Sequence, residues 1–155
     1  MRPPVSITDI TVRRDRLVLI VKLAPETPRE TTPEMARALI AQVPTLPQHA
    51  CVNDRGTTLG DVLDATAIPH VLEHLIIDAQ VRATAQTEAH AVAGASVQGD
   101  ASGEGKDPLD GTFVGTTAWL DREAGTARIE VSYRDDLVAL AAVKQALAGL
   151  LAVLS

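Results

Sequence analysis

The first part of the chain alternates weakly at Ile10 and Val12, and then resumes with Leu17, Leu19, Val21 and Leu23 as a period-2 apolar set. A period of two sends every second side chain to one face of a sheet, so residues 5–23 are predicted to form a β-hairpin broken at Arg13-Arg14-Asp15-Arg16. After the prolines at 25 and 28, Thr32-Pro33-Glu34 supplies an N-cap, a proline in the first turn and an early acid. A helix over about 33–43 follows and must stop before Pro44, because the residue preceding a proline is pushed out of the α region. Residues 48–57 read as a polar connection. Thr58-Leu59-Gly60-Asp61 then has the spacing of a capping box and predicts a short helix.

Thr66 is the expected cap of a longer helix over about 67–88, with Pro69 tolerated in its first turn. Leu72, Leu75, Ile76 and Ala79 form its predicted core stripe, and His70, Glu73, His74 and Ile77 share an adjoining face. From 91 to 111 the composition turns to Gly, Ala, Ser and Asp, which predicts a flexible surface loop. Residues 112–120 and 127–134 are predicted to pair across the turn 121–125, with Ala127, Ile129, Val131 and Tyr133 on one face and Arg128, Glu130, Ser132 and Arg134 on a wet one. Asp135 caps a last helix that is apolar nearly all round, with Lys144 and Gln145 as the polar side chains of its body. Such a helix is either central to the core or half buried by a partner subunit, which would make the chain a homo-oligomer. The order ββ-α-α-α-ββ-α predicts one α+β domain over 1–155: two layers, an antiparallel sheet of about four strands with helices on one face.

Composition narrows the classes of function. The chain has 155 residues, 14 basic against 20 acidic, a net charge of −6 and only Phe113, Trp119 and Tyr133 as aromatics. That combination offers little to grip phosphates or stack on bases, so nucleic acid is not an expected partner. No stretch is read as approaching the roughly 20 apolar residues of a membrane span, and the N-terminus lacks the apolar run of a secretory signal. The expected location is the cytoplasm. Cys51, the single cysteine, has no partner for an internal disulfide.

The strongest local signal is His70-Val71-Leu72-Glu73-His74, an H-x-x-E-H string. Residues four apart on a helix are neighbours, so both imidazoles can hold one metal ion while Glu73 stands beside it as a base. This is the inverzincin order, the reverse of H-E-x-x-H. The plainer reading is a solvated polar face with no metal. Cys51 is the best further ligand: one thiolate with two imidazoles suits zinc and leaves a tetrahedral position open, although nickel, cobalt or iron could take the same set. Against this, most lone cysteines are small buried hydrophobes. His49 is ambiguous between ligand and hydrogen-bonding neighbour. Asp78, four residues after His74, is placed to orient an imidazole from outside the metal's own ligands. Glu88 and Glu130 are rival ligands, Glu130 on the wet strand face, and His90 reads as solvated.

The string LPQHAC at 46–51, the downstream TLGDVLDAT and IPHVLEHLIIDAQ at 68–80 together resemble the N-terminal domain of cyanophycin synthetases. The closing ARIEVSYRDDLVALAAVKQAL resembles that domain's last strand and helix, so the likeness spans about 46–85 and 112–150. The resemblance implies a domain that holds the aspartate-arginine polymer and, in some members, cuts it at a metal-dependent site. It implies Cys51, His70 and His74 as metal ligands and Glu73 as general base. The synthetases continue into an ATP-grasp module and a Mur-ligase-like module, and neither is found up to Ser155, so ATP-dependent ligation is not expected. VNDRGTTLG replaces a more glycine-rich approach, and the 91–111 insertion is unusual, which bears on substrate identity.

Two functions follow. One is a zinc-dependent hydrolase of an amide or peptide bond in a peptide or cyanophycin-like polymer, with Arg55 or Arg134 as candidate oxyanion stabilisers. The other is a binding or scaffolding domain without hydrolytic activity, its metal structural and its C-terminal helix used for self-association. A structural site fills all four positions with protein ligands, so His49 joining the set would favour the second and an open position the first. Pitrilysin-type peptidases share the motif order but need a distant glutamate and a larger chain.

Overall fold

The structure, a computed structural model, describes residues 2–94 and 113–155, with side chains followed as far as Thr87 in the first span. Strands β1 (Val5–Val12) and β2 (Arg16–Leu23) form the expected hairpin. With β5 (Gly115–Asp121) and β6 (Thr126–Ser132) they make a four-stranded antiparallel sheet in the order β1-β2-β6-β5. Register follows hydrophobicity. Leu17, Leu19 and Val21 stand opposite Val131, Ile129 and Ala127, and all six are fully buried. The other face carries Arg128 and Glu130, paired with each other at 3.2 Å, with Arg16 3.8 Å from Glu130. Val18 and Ile20 share that second face with the charges, so it is mixed, while the first is wholly apolar and is the side that helices cover.

Helix α1 (Pro33–Gln42) is capped by Thr32, whose hydroxyl accepts from the Met35 N–H at 3.2 Å, and it ends before Pro44 as the sequence demands. Helix α2 (Ile68–Gly94) packs on β5 and β6, and helix α3 (Asp136–Leu154) packs on α2, α1 and β1. Leu72, Leu75, Ile76 and Ala79 lie in the core as the helical stripe predicted. Asp135 caps α3, accepting from Leu137 and Val138. The architecture is the expected α+β arrangement, with one further, small element. Residues 48–57 are not a featureless connection: β3 (Ala50–Asn53) and β4 (Gly56–Thr58) form a second antiparallel pair. Asn53 closes it, its amide donating to the carbonyls of Cys51 at 2.9 Å and Thr58 at 3.0 Å.

Four local expectations are corrected. The capping box at Thr58 and Asp61 is present, but it opens a single 3₁₀ turn, Leu59–Asp61, in place of a short α-helix. Thr66 does not cap α2. The Val71 N–H bonds to the Ala67 carbonyl, one residue later, because the Thr66 N–H is taken by Thr31 and its hydroxyl by His70. The helix also continues to Gly94, so residues 91–94, assigned to the loop by composition, are helical. The rest of that predicted loop, 95–111, lies outside the described residues. Finally, α3 is a 19-residue helix long and apolar enough to cross a membrane by length and composition, contrary to the expectation that no stretch approaches that limit. Its core stripe, Ala139, Ala142, Val143, Ala146 and Leu150, is built on small residues that let α3 lie close against its neighbours, while Leu137 is 73% exposed.

Candidate metal centre

Helix periodicity sets the site's floor. His70, Glu73, His74 and Asp78 fall at i, i+3, i+4 and i+8 on α2, so their side chains emerge along one side while the core stripe takes the other. Three of them are buried: Asp78 is 2% exposed, Glu73 4% and His74 5%. Burial at that level excludes the reading of this motif as a wet polar face, since ionisable groups are kept from water only where something satisfies them.

The small β3–β4 hairpin supplies the other wall. It brings Cys51 over the first turn of α2, with Sγ 3.5 Å from His70 Nε2. Ligand atoms of Cys51, His70 and His74 all lie within 4.8 Å of one another, which makes them a set able to hold a metal ion. The His70 and His74 rings are 4.8 Å apart, edge to face. Thr66, displaced from its capping role, meets His70 Nδ1 at 2.9 Å. His70 thus has its Nδ1 occupied and its Nε2 turned to Cys51.

His49 is next to this set and not within it. Its Nδ1 is 3.2 Å from His74 Nδ1, and its Nε2 is 3.0 Å from Asp78 Oδ1. Asp78 also accepts from Thr45 at 2.8 Å and from Arg82 Nε at 2.8 Å. Asp78 thus contacts the imidazole of His49, one step removed from the three grouped residues. Burial would raise the Asp78 carboxyl, but the hydrogen bonds from His49 and Thr45 and the nearby charge of Arg82 hold it below the ordinary value, so it is a carboxylate.

Electrostatics keep the imidazoles available. Burial, with His70 and His49 adding to it, pushes His74 down to about 3, and burial lowers His70 as well. Both are neutral at pH 7, the form a metal requires. Glu73 moves the other way. Burial pushes its carboxyl above the ordinary value, against the hydrogen bond from the Thr117 hydroxyl to Oε2. Such a raised carboxyl is what a proton carrier near neutral pH needs.

Strand β5 fits closely over Glu73. A Cβ at Gly115 would stand 2.5 Å from Glu73 Oε1 and 2.7 Å from its Cγ, so only glycine leaves room. Gly115→Ala is expected to push the carboxylate off Thr117 and to cost about 1–3 kcal/mol, the usual range for overpacking. Urea unfolding of Gly115→Ala, Glu73→Ala and the double variant checks this. The two costs should be strongly non-additive, because Glu73→Ala removes the atoms in the way; simple additivity would show that the two positions do not meet.

Other candidates lie elsewhere. Glu130 is engaged by Arg16 and Arg128 on the wet sheet face. Arg55 pairs with Asp64 at 2.9 Å on the surface. Arg134 lines a separate cleft with Gln80 and Thr87. The side chains of Glu88 and His90 fall outside the described ones. Residues that sequence reading did not single out are Thr45, Arg82 and Thr117, and Thr66 was read only as a helix cap. Of these only Arg82 carried a signal, standing four residues after Asp78 on a helix, where an ion pair is expected.

No curated protein and no solved structure matches the chain. The family profile described as the cyanophycin synthase-like N-terminal domain matches residues 16–97, which include His49, Cys51, His70, Glu73, His74 and Asp78. The resemblance noted over 112–150 lies beyond that match. Since the matched residues are more than half of the 155, the chain belongs to the family of cyanophycin synthase-like N-terminal domains.

Proposed function

We propose that the protein is a zinc-dependent hydrolase of an amide bond, acting on a peptide or on a cyanophycin-like polymer. The observation that carries this reading is a set of three candidate ligands with a buried carboxyl, Glu73, on the helix that bears two of them, and with the fourth nearby donor, His49, turned to other partners. The spacing supports one ion. Ligands at about 2.3 Å for sulfur and about 2.0–2.1 Å for nitrogen around a tetrahedral centre stand roughly 3.5 Å apart. Cys51 Sγ and His70 Nε2 are 3.5 Å apart. The mixed thiolate and imidazole set favours zinc over the hard, oxygen-seeking cations.

Zinc with an open position supplies Lewis acidity and brings the pKa of a water to about 7. The chain's own residues supply the rest. Cys51, His70 and His74 hold the ion, and the lowered values of both imidazoles keep them bound in the neutral form. Glu73, with Oε2 held by Thr117, has Oε1 free of that bond to take a proton from the attacking water. The same carboxyl then returns the proton to the departing amine nitrogen as the C–N bond breaks, so water and amide become carboxylate and amine. Thr117 keeps Glu73 in one rotamer throughout.

Elemental analysis of purified protein tests the site. About one zinc per chain is expected in the wild type, with loss in both His74→Ala and Cys51→Ser. A wild type that takes up no zinc, even after it is added back, would remove the hydrolase mechanism. Zinc that survives Cys51→Ser but is lost in His49→Phe would replace the proposed set by one including His49 and favour a structural metal.

A further inference from the structure

We infer that His49 is a positioning residue, which fixes the proton of His74 on Nδ1 and so presents the Nε2 lone pair of His74 to the metal site. One chain of contacts leads from the surface inward. Asp78 accepts from Arg82 Nε on Oδ2 and from Thr45 Oγ1 on Oδ1, both at 2.8 Å, so it is held as a carboxylate and can only accept. The group 3.0 Å from its Oδ1 is His49 Nε2, which must then carry a proton. A neutral imidazole has one N–H, which leaves His49 Nδ1 bare. His49 Nδ1 is 3.2 Å from His74 Nδ1, and two bare nitrogens cannot make that contact favourable. The hydrogen therefore sits on His74 Nδ1, and His74 Nε2 is left with its lone pair.

Metal-bound histidines commonly donate their second nitrogen to a carboxylate or carbonyl, which orients the ring and strengthens it as a ligand. Here another histidine occupies that place, and the carboxylate stands behind it. The insertion has a geometric reason. Asp78 is four residues from His74 on the same helix and is tied to Arg82 one turn further along, so the 3₁₀ turn Leu46–Gln48 delivers His49 between them. The backbone fixes it there, with the Leu59 N–H donating to the His49 carbonyl at 2.9 Å. His70 obeys the same logic by a shorter route, its Nδ1 meeting the Thr66 hydroxyl and its Nε2 meeting Cys51.

The rival assignment makes His49 a fourth ligand through Nδ1. It conflicts with the grouping, in which Cys51, His70 and His74 come together without it. A second rival has His49 doubly protonated and donating to His74, which would put the proton on His74 Nε2 and close that nitrogen to a metal.

The inference rests on the proposed metal site for its consequence and not for its first test. Long-range ¹⁵N–¹H spectra of the metal-free full chain at pH 7.5, with labelled histidine assigned by single substitutions, report which nitrogen of His74 carries hydrogen. The expected result is Nδ1–H for His74 in the wild type and a shift toward Nε2–H in His49→Phe, which keeps ring volume and removes the acceptor. His49→Gln serves as the second variant should the first fail to fold. A wild-type His74 protonated on Nε2, or a tautomer unmoved by His49→Phe, overturns the inference. Titration with cobalt(II) alone gives the second test. A positioning role predicts 10- to 100-fold weaker binding in His49→Phe with the visible bands unchanged. Altered bands would make His49 a ligand and overturn it. If the wild type binds no cobalt at all, the hydrolase reading falls and the tautomer measurement alone decides.

Discussion

Glu73→Gln is expected to reduce amide hydrolysis by about 10²- to 10⁴-fold, the usual contribution of a general base, while the zinc content stays at the wild-type level. Glutamine has the same shape and size, and its amide oxygen can still accept from Thr117, so the fit beneath Gly115 is retained. What it lacks is the capacity to take a proton. The three candidate ligands do not include Glu73, so losing its charge leaves them in place. Turnover of an aspartate-arginine polymer or of a peptide mixture, measured beside metal content on the same samples, separates the outcomes. Undiminished hydrolysis in Glu73→Gln would remove the base from Glu73. Loss of zinc together with activity would make Glu73 part of the metal's surroundings and not the proton carrier.

Thr117→Val carries the complementary information. It deletes the hydroxyl that holds Oε2 and leaves the carboxyl able to ionise, so a smaller loss than in Glu73→Gln distinguishes holding the base from being the base. The pairing also shows why Thr117 was invisible to sequence reading. It lies 44 residues from Glu73 and reaches it only because β5 packs on α2. Nothing in a threonine within TFVGTTAWL marks it as different from its neighbours.

The legible parts of the site were those set by a single period. His70, Glu73 and His74 share a face because an α-helix turns every 3.6 residues, and that holds wherever the helix packs. The core face of β6 was equally plain, since it alternates without interruption, whereas β2 showed its strand character as an apolar run from Leu17 to Val21. Cys51 could be nominated by its chemistry and by the resemblance of LPQHAC, but its placement depends on a four-residue strand paired to a three-residue one. Pairing that short leaves almost no alternation to detect, and the turn is closed by the Asn53 side chain, not by a recognisable dipeptide. Thr66 misled for a related reason: it is a good cap by residue type, but Thr31 and His70, distant and near, both claimed its hydrogen-bonding groups first. The role of His49 was undecidable from the chain because ligand and support differ only in which way one ring faces. Helix α3 posed the opposite difficulty. Its hydropathy was visible, but whether an apolar helix is covered depends on what packs against it.

With metal removed by a chelator, the protein is expected to lose about 2 kcal/mol of stability between pH 7 and pH 5, chiefly through His74. The sign follows from the direction of the shift. His74 in the folded chain is pushed from 6.5 down to about 3, because burial and the neighbouring His70 and His49 disfavour its charged form. Above pH 6.5 it is neutral in both states and contributes no pH dependence. Below that value the unfolded chain takes up a proton that the folded chain refuses, and each pH unit then costs about 1.4 kcal/mol until the folded value near 3 is reached. His70, also lowered by burial, acts in the same direction. Asp78, held below 3.8, adds its loss only in stronger acid. Glu73 opposes them, since its folded value lies above 4.5 and the folded chain gains as pH falls through it. Urea unfolding at pH 7 and pH 5 measures the sum: for a slope near 2 kcal/mol per molar, the midpoint should fall by about 1 M. His74→Phe should flatten most of this dependence. Equal wild-type midpoints at the two pH values would mean that His74 is protonated in the folded chain, and this imidazole would then not stand ready, uncharged, for a metal.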